Sequence, residues 1–257
     1  MGAHQKIDRV ARRHLTLLLG VDQFFPTAAQ ILHFEGTNGP DGIKRKSPAK
    51  DEPWHYLNPL DDEDNELLKL IDHHQENLVK ALKEGNREQA AFQAAWVAHA
   101  IVDGLTPAHH YPYEKTLLEL RNGEGLDTRV TVKEKWLMKG DTTSEKLVNN
   151  WRAWGPRGLF IGHSLFELGF AAIIRPLRFP DARPKQSDLD EIERLGASGY
   201  FALRAKEIVM MDLFEEYLQK GWTGSLARRI RQQLAPTIVK TITVTWYQAC
   251  KDSGQGL

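Results

Sequence analysis

Apolar residues recur every three to four positions along most of this chain, and that spacing constrains its fold most strongly. From Ile7 to Gly20 they fall at Ile7, Val10, Ala11, Leu15 and Leu18, one helical stripe. From Asn65 to Leu82 they fall at Leu67, Leu68, Ile71, Leu78 and Leu82. Pro59 and the acidic Asp61, Asp62, Glu63 and Asp64 precede this segment, where negative charge favours a helix start. Glu88 to Val102 and Leu159 to Ile174 are apolar on every side, the pattern of a buried helix. Asp188 to Lys220 and Leu226 to Cys250 predict two long amphipathic helices. The second is expected to kink near Pro236, and its Thr241-to-Thr245 run has strand character. Irregular structure is expected from Thr37 to Pro59 and around Asn122 to Val130. Regular strand–helix alternation and a glycine-rich phosphate loop are both absent from the sequence. The expectation is an all-α fold, a single helical bundle over residues 1–257.

The chain has 257 residues, enough to bury a core without covalent staples. Its 34 Lys and Arg balance 34 Asp and Glu, which argues against a surface that coats nucleic acid or membrane generally. A local charged patch is compatible with that balance. Cys250 is the single cysteine, so no intramolecular disulfide forms. The N-terminal residues lack the apolar core of a signal peptide, and Lys6 breaks the myristoylation pattern. The longest apolar stretch, Gly158 to Pro176, is short for a bilayer and is interrupted by His163 and Glu167. A soluble chain without a transmembrane segment or an obligatory protein partner is expected. The compartment is left open, since a mature form would have lost its leader.

Ten histidines set the functional question. His99 and Asp103 are four apart on an apolar helix, so one metal ion could reach both side chains. His163 and Glu167 repeat that spacing on another. His109 follows just beyond Gly104 and Pro107, which end the first of these helices. A buried carboxylate needs a partner, and zinc accepts both imidazole nitrogen and carboxylate oxygen. One such pair would read as a structural hydrogen bond; two, with His109 between, favour a metal site. Taken singly, His14 reads as a surface or capping histidine, Asp41 as a turn residue and His55 as a loop histidine. His73 and His74 are expected in solvent. His4 reads as a terminal residue, with an added ligand as the alternative. Lys44, Arg45, Lys46 and Lys50 form a basic run that would be solvated or would meet a phosphate.

In order, the chain gives His14, Asp41, His55, His99-x3-Asp103, His109 and His163-x3-Glu167. This order resembles the bacterial zinc-dependent phospholipases C, including the catalytic domain of the alpha-toxin type, and more broadly the related single-strand-specific zinc nucleases. The segment from Glu84 to His109 carries most of the likeness: a helix of similar composition, H-x3-D, a proline four residues on, and the next histidine two beyond. Trp54-His55-Tyr56-Leu57-Asn58-Pro59 resembles a second family segment, with Asn58 in place of its aspartate. The gap from His109 to His163 is longer than in the bacterial enzymes and points to an insertion at about 111–158. The proline register favours His109 over its neighbour His110.

The resemblance implies two or three zinc ions. Asp41, His55, His99 and Asp103 would hold one, and His109, His163 and Glu167 a second. His14, Asp103 and the N-terminal amine and carbonyl would hold the third. Asp103 would then bridge metals, and Asp41 could act as the catalytic base. The implied reaction is attack of a zinc-bridging hydroxide on phosphorus, most simply by a phospholipase C releasing diacylglycerol and a phospho-alcohol. Tyr56 and Tyr111 flank expected ligands and could bind substrate. A nuclease or 3′-nucleotidase with the same metals is the first alternative, and a non-catalytic helical binding protein the second. The partners implied are a phospholipid or another phosphodiester, with peripheral membrane contact, and the family resemblance implies an extracellular setting for a mature form. The alpha-toxin type's C-terminal β-sandwich is not expected here, so lipid activity should favour dispersed lipid over packed bilayers.

Overall fold

The computed structural model describes residues 2–19, 23–46, 55–110, 113–125, 128–156 and 158–254. Its elements are helices, α-helices with a few short 3-10 and π turns, with no strand among the described residues, and they build the expected all-α domain. In chain order they are α1 (Ala3–Thr16), α2 (Ala28–His33), α3 (Pro40–Lys46), α4 (Glu66–Lys83), α5 (Arg87–Leu105), α6 (Tyr113–Leu120) and α7 (Val132–Trp136). There follow α8 (Thr143–Trp154), α9 (Leu159–Ile174), α10 (Gln186–Val209), α11 (Leu213–Lys220), α12 (Gly224–Arg229) and α13 (Ala235–Asp252).

Helix α5 forms the axis of the core. The Asn86 side chain accepts the Gln89 N–H and so starts it. Its alanine-rich surface buries against α1, α2, α4, α10 and α13, as its apolar pattern requires. The indole of Trp246 on α13 donates to the Ala94 carbonyl at 3.1 Å, tying the C-terminal helix to this axis. Gly104 lets α5 approach its neighbours closely: a Cβ there would sit 2.4 Å from Leu67 and 2.5 Å from Phe201. That close approach fixes the position of Asp103, the residue before it.

The second apolar helix differs from expectation. The bounds of α9 are as predicted, but one side alone is buried, through Phe166, Phe170 and Ile174. Leu165 and Leu168 stand in solvent. The segment expected to hold an insertion, about 111–158, carries helices α6, α7 and α8 among its described residues. They gather Leu117, Leu120, Met138 and Ala153 around Phe160 as a small separate core.

Other expectations are corrected by local chemistry. Asp188 to Lys220 is two helices, broken at Asp212, a non-glycine residue with φ +51°. Inside the first of them Gly196 has φ +73°, which kinks it. Thr241 to Thr245 is helical, not strand-like. It is buried, and each of its three threonine hydroxyls donates to the carbonyl four residues back. The expected kink near Pro236 is a π-helical turn, Ile230–Leu234, just before the proline. The stretch from Thr37 to Pro59, expected to be irregular, contains α3; residues 47–54 within it, with Lys50 and Trp54, lie outside the described residues.

Candidate metal centre

Asp103 is the hub of the site. Helix α5 projects it and His99 from one face, one turn apart. Its Oδ2 accepts from His55 Nδ1 at 2.6 Å and lies 3.2 Å from His99 Nε2. Its Oδ1 lies 3.1 Å from His4 Nε2 and 3.9 Å from His109 Nε2. One carboxylate therefore faces two groups of histidines, one oxygen to each side.

Two clusters have ligand geometry. His4, His99 and Asp103 each offer a donor atom within 4.8 Å of the others, and so do His109, His163 and Glu167. In the second cluster one oxygen of Glu167 lies 3.0 Å from His109 Nε2 and 3.2 Å from His163 Nε2. Neighbouring groups set the tautomers. The His55 carbonyl can only accept, so the 2.8 Å contact places the His109 proton on Nδ1 and leaves Nε2 facing Glu167. Glu35 Oε2, 3.3 Å from His99 Nδ1, aims His99 Nε2 at Asp103 in the same way.

The donor set fits a divalent cation. His99 Nε2 is buried and near Asp103 without the alignment of a hydrogen bond, and His55 Nε2 and His4 Nδ1 are buried with no partner among the described residues. Nitrogen and carboxylate donors in this proportion suit zinc. Charge coupling follows the geometry. Burial would raise the Asp103 pKa, but His99, His109 and His4 outweigh it and hold the carboxyl well below its usual range. Burial would likewise raise Glu167, yet the adjoining imidazoles of His109 and His163 hold it well below. His99 goes the other way: burial opposes its charge, but Asp103 and Glu35 hold its pKa well above 6.5. His55, buried beside Lys44, is pushed down to about 4 despite its bond to Asp103.

Most of the expected ligands meet here: His55, His99, Asp103, His109, His163 and Glu167. Asp41, in the first turn of α3, stands 3.9 Å from His99 Nε2 with its side chain 43% exposed, at the open side of the first cluster. His14 is a correction. It lies ten residues along α1 from His4, roughly 15 Å by helical rise. There its Nε2 donates to the Phe179 carbonyl at 2.9 Å. The N-terminal residue expected at the third metal, Met1, lies outside the described residues, and the carbonyl of Gly2 after it accepts the Lys6 N–H in the first turn of α1. The third ligand set is therefore not assembled among the described residues. His110 turns away from the clusters, its Nε2 donating to the Gly104 carbonyl. His74 is buried, not solvated, and its Nδ1 bonds Gln93 Oε1 at 2.6 Å.

Of two further residues at the site, the sequence reads His4 as a terminal residue with an added ligand as the alternative, and does not single out Glu35. His4 begins α1, stacks on His99 with ring centroids 4.1 Å apart, and supplies the contact expected of His14. A signal for it existed: His4-x3-Asp8 is a third instance of the spacing in His99-x3-Asp103 and His163-x3-Glu167. Asp8 is buried, and burial, with Glu35 adding to it, raises its pKa well above the usual carboxyl value. Glu35 sits in a turn between α2 and α3, and no local pattern marks it.

Above the clusters is a cavity of about 490 Å³. Its lining brings the ligands together with the cations Lys44 and Arg45 and the aromatics Tyr56, Trp136, Trp154 and Phe160. Tyr56 stacks on His109 with ring centroids 5.4 Å apart. Tyr111 lies outside the described residues, and nothing is assigned to it. No protein-family model matches the chain, and neither does any curated protein or solved structure.

Proposed function

We propose that the chain is a metal-dependent phosphodiester hydrolase, phospholipase C-like, with two divalent ions, zinc by donor type, one in each cluster. The observation that carries this reading is Asp103, which lies between two His-and-carboxylate clusters: Oδ2 faces His55 and His99, and Oδ1 faces His4 at 3.1 Å and His109 of the second cluster at 3.9 Å. When bound, the ions would supply Lewis acidity towards phosphoryl oxygens and lower the pKa of a water. His4, His55, His99 and Asp103 would hold the first ion, and His109, His163 and Glu167 the second. Asp41, half-exposed at the cavity and next to the first cluster, is placed to accept a proton from the attacking water. Lys44 and Arg45 line the same cavity and offset the charge of a phosphodiester. Trp136, Trp154 and Phe160 give the rest of the substrate an apolar, water-poor lining.

A lipid phosphodiester suits that combination better than a nucleic acid does. Among the described residues the cations near the site are few, whereas a nucleic-acid strand would call for a basic track. The test runs a phosphocholine ester and single-stranded DNA in parallel on zinc-loaded protein. Hydrolysis of the ester, lost in Asp103→Asn, supports the reading. Cleavage of DNA alone moves it to the nuclease alternative. Neither activity, with no bound metal, returns the chain to a helical binding protein.

A further inference from the structure

We propose that the outer face of α8 and α9 docks on a phospholipid bilayer and presents a lipid phosphodiester to the metal-ligand cavity. The claim deepens the hydrolase reading, on which its catalytic half rests. A helix that is apolar all round is stable in water only when it is covered. Helix α9 is apolar all round, yet Leu165 and Leu168 on its outer side are exposed, Leu168 by 66%. Alongside it, α8 turns Leu147 and Trp151 outward, each 69% exposed. Four large apolar side chains on two packed helices exceed the scattered singles of an ordinary surface.

Three observations choose lipid as the occupant. The first is charge. Of the six Lys and Arg in residues 128–156, Arg129 and Lys135 are buried and Lys139 pairs with Glu124, which leaves Lys133, Lys146 and Arg152 as exposed cations near this face. Exposed Lys146 and Arg152 share α8 with the apolar residues, so phosphate groups would lie beside a greasy face that includes Trp151. The second is continuity. Leu168 and Trp154 also line the cavity that holds His109, His163 and Glu167, so the apolar face runs into the mouth of the site. The third is a second cavity of about 410 Å³, lined by Trp151, Leu159, Phe214 and Leu218 and sharing His163 with the first. An acyl chain fills such a space; a flat protein partner has no use for it. The stretch from Thr143 to Ile174 is long enough to cross a membrane and contains an apolar run of 18 residues. It is broken between Trp154 and Leu159 and carries two metal ligands, so it meets lipid from outside. The inference reverses the expected preference for dispersed lipid.

The experiment sediments the full chain with vesicles of phosphatidylcholine and phosphatidylserine, and reads phospho-alcohol release separately. The account expects binding, and quenching of tryptophan fluorescence by bromine placed on the acyl chains. Leu147→Ser with Trp151→Ser and Leu165→Ser should lower partitioning on the order of a hundredfold. Circular dichroism checks that this variant folds. Leu60→Ser with Met210→Ser, equally exposed elsewhere, should bind as the parent does. Binding without hydrolysis upholds the docking face while the hydrolase reading fails. Hydrolysis of dispersed lipid without vesicle binding does the reverse. A dimer in solution that the triple variant dissociates, with no vesicle binding, would make the face a protein interface and overturn the proposal.

Discussion

The two ligand clusters share Asp103 at their border but differ in how they meet water. Asp103 is 5% exposed and answered on both oxygens, while Glu167 is 42% exposed and gives one oxygen to two histidines. The first cluster hangs on α5, the most buried helix, and is buttressed by Glu35. The second hangs partly on α9, whose outer face is open. On the proposed reading, a cation in the first would be held by a rigid, dry frame, and one in the second would sit nearer solvent, where exchange is easier. The contrast teaches that one donor chemistry can be tuned for retention or for access by the helix that carries it.

The largest expected effect comes from Asp103→Asn. It removes the charge that both clusters share, so metal content should fall towards zero and hydrolysis by on the order of a thousandfold. Histidines left facing a neutral amide should also cost the metal-free protein about 3 kcal/mol, read by denaturant unfolding. Glu167→Gln should divide the clusters: about one ion per chain is kept, activity is lost, and stability changes by less than about 1 kcal/mol because the group is half-exposed. Equal metal loss in both variants would erase the proposed asymmetry. Glu35→Gln is milder. It should weaken binding at the first cluster by about tenfold to a hundredfold and leave the second unchanged, as competition with a chromophoric chelator would show.

The pH response separates the centre from the surrounding fold. His110 is pushed down to about 4, chiefly by burial, and burial also lowers His14 and His74. These rings are neutral in the folded chain and bind protons first in the unfolded one. Stability is therefore complete above their ordinary 6.5 and drains away as pH falls from there towards 4. For His110 the full swing is roughly 3 kcal/mol. Unfolding of chelated protein across that range should show it, with a shallower slope in His110→Gln. The smallest effect is on His14→Ala: unchanged metal content and about 1 kcal/mol of stability, from one lost hydrogen bond to Phe179.

How far the sequence could be read follows from what is local. The apolar periods placed α4, α5 and α9 within a few residues, because such spacing is decided by each helix alone. His99-x3-Asp103 and His163-x3-Glu167 were legible for the same reason: i, i+4 pairs share a face wherever the helix goes. What failed depends on tertiary packing. His14 and His4 compete for one role, and the way α1 lies against α5 decides between them. The burial of Thr241 to Thr245 overrides their strand preference, and the burial of His74 depends on Gln93 of another helix. The exposure of α9 was hidden because an all-apolar helix reads alike whether it is buried in a core or covered by something else. Glu35 had no local signature, since a buttressing carboxylate needs only to arrive near its histidine.

The most direct test of a two-ion centre bridged by Asp103 is the metal content per chain of unchelated protein, by elemental mass spectrometry, for the parent and Asp103→Asn. The account predicts about two zinc per chain in the parent and nearly none in the variant. A parent value near zero that added zinc does not restore, or a variant that keeps both ions, would contradict it.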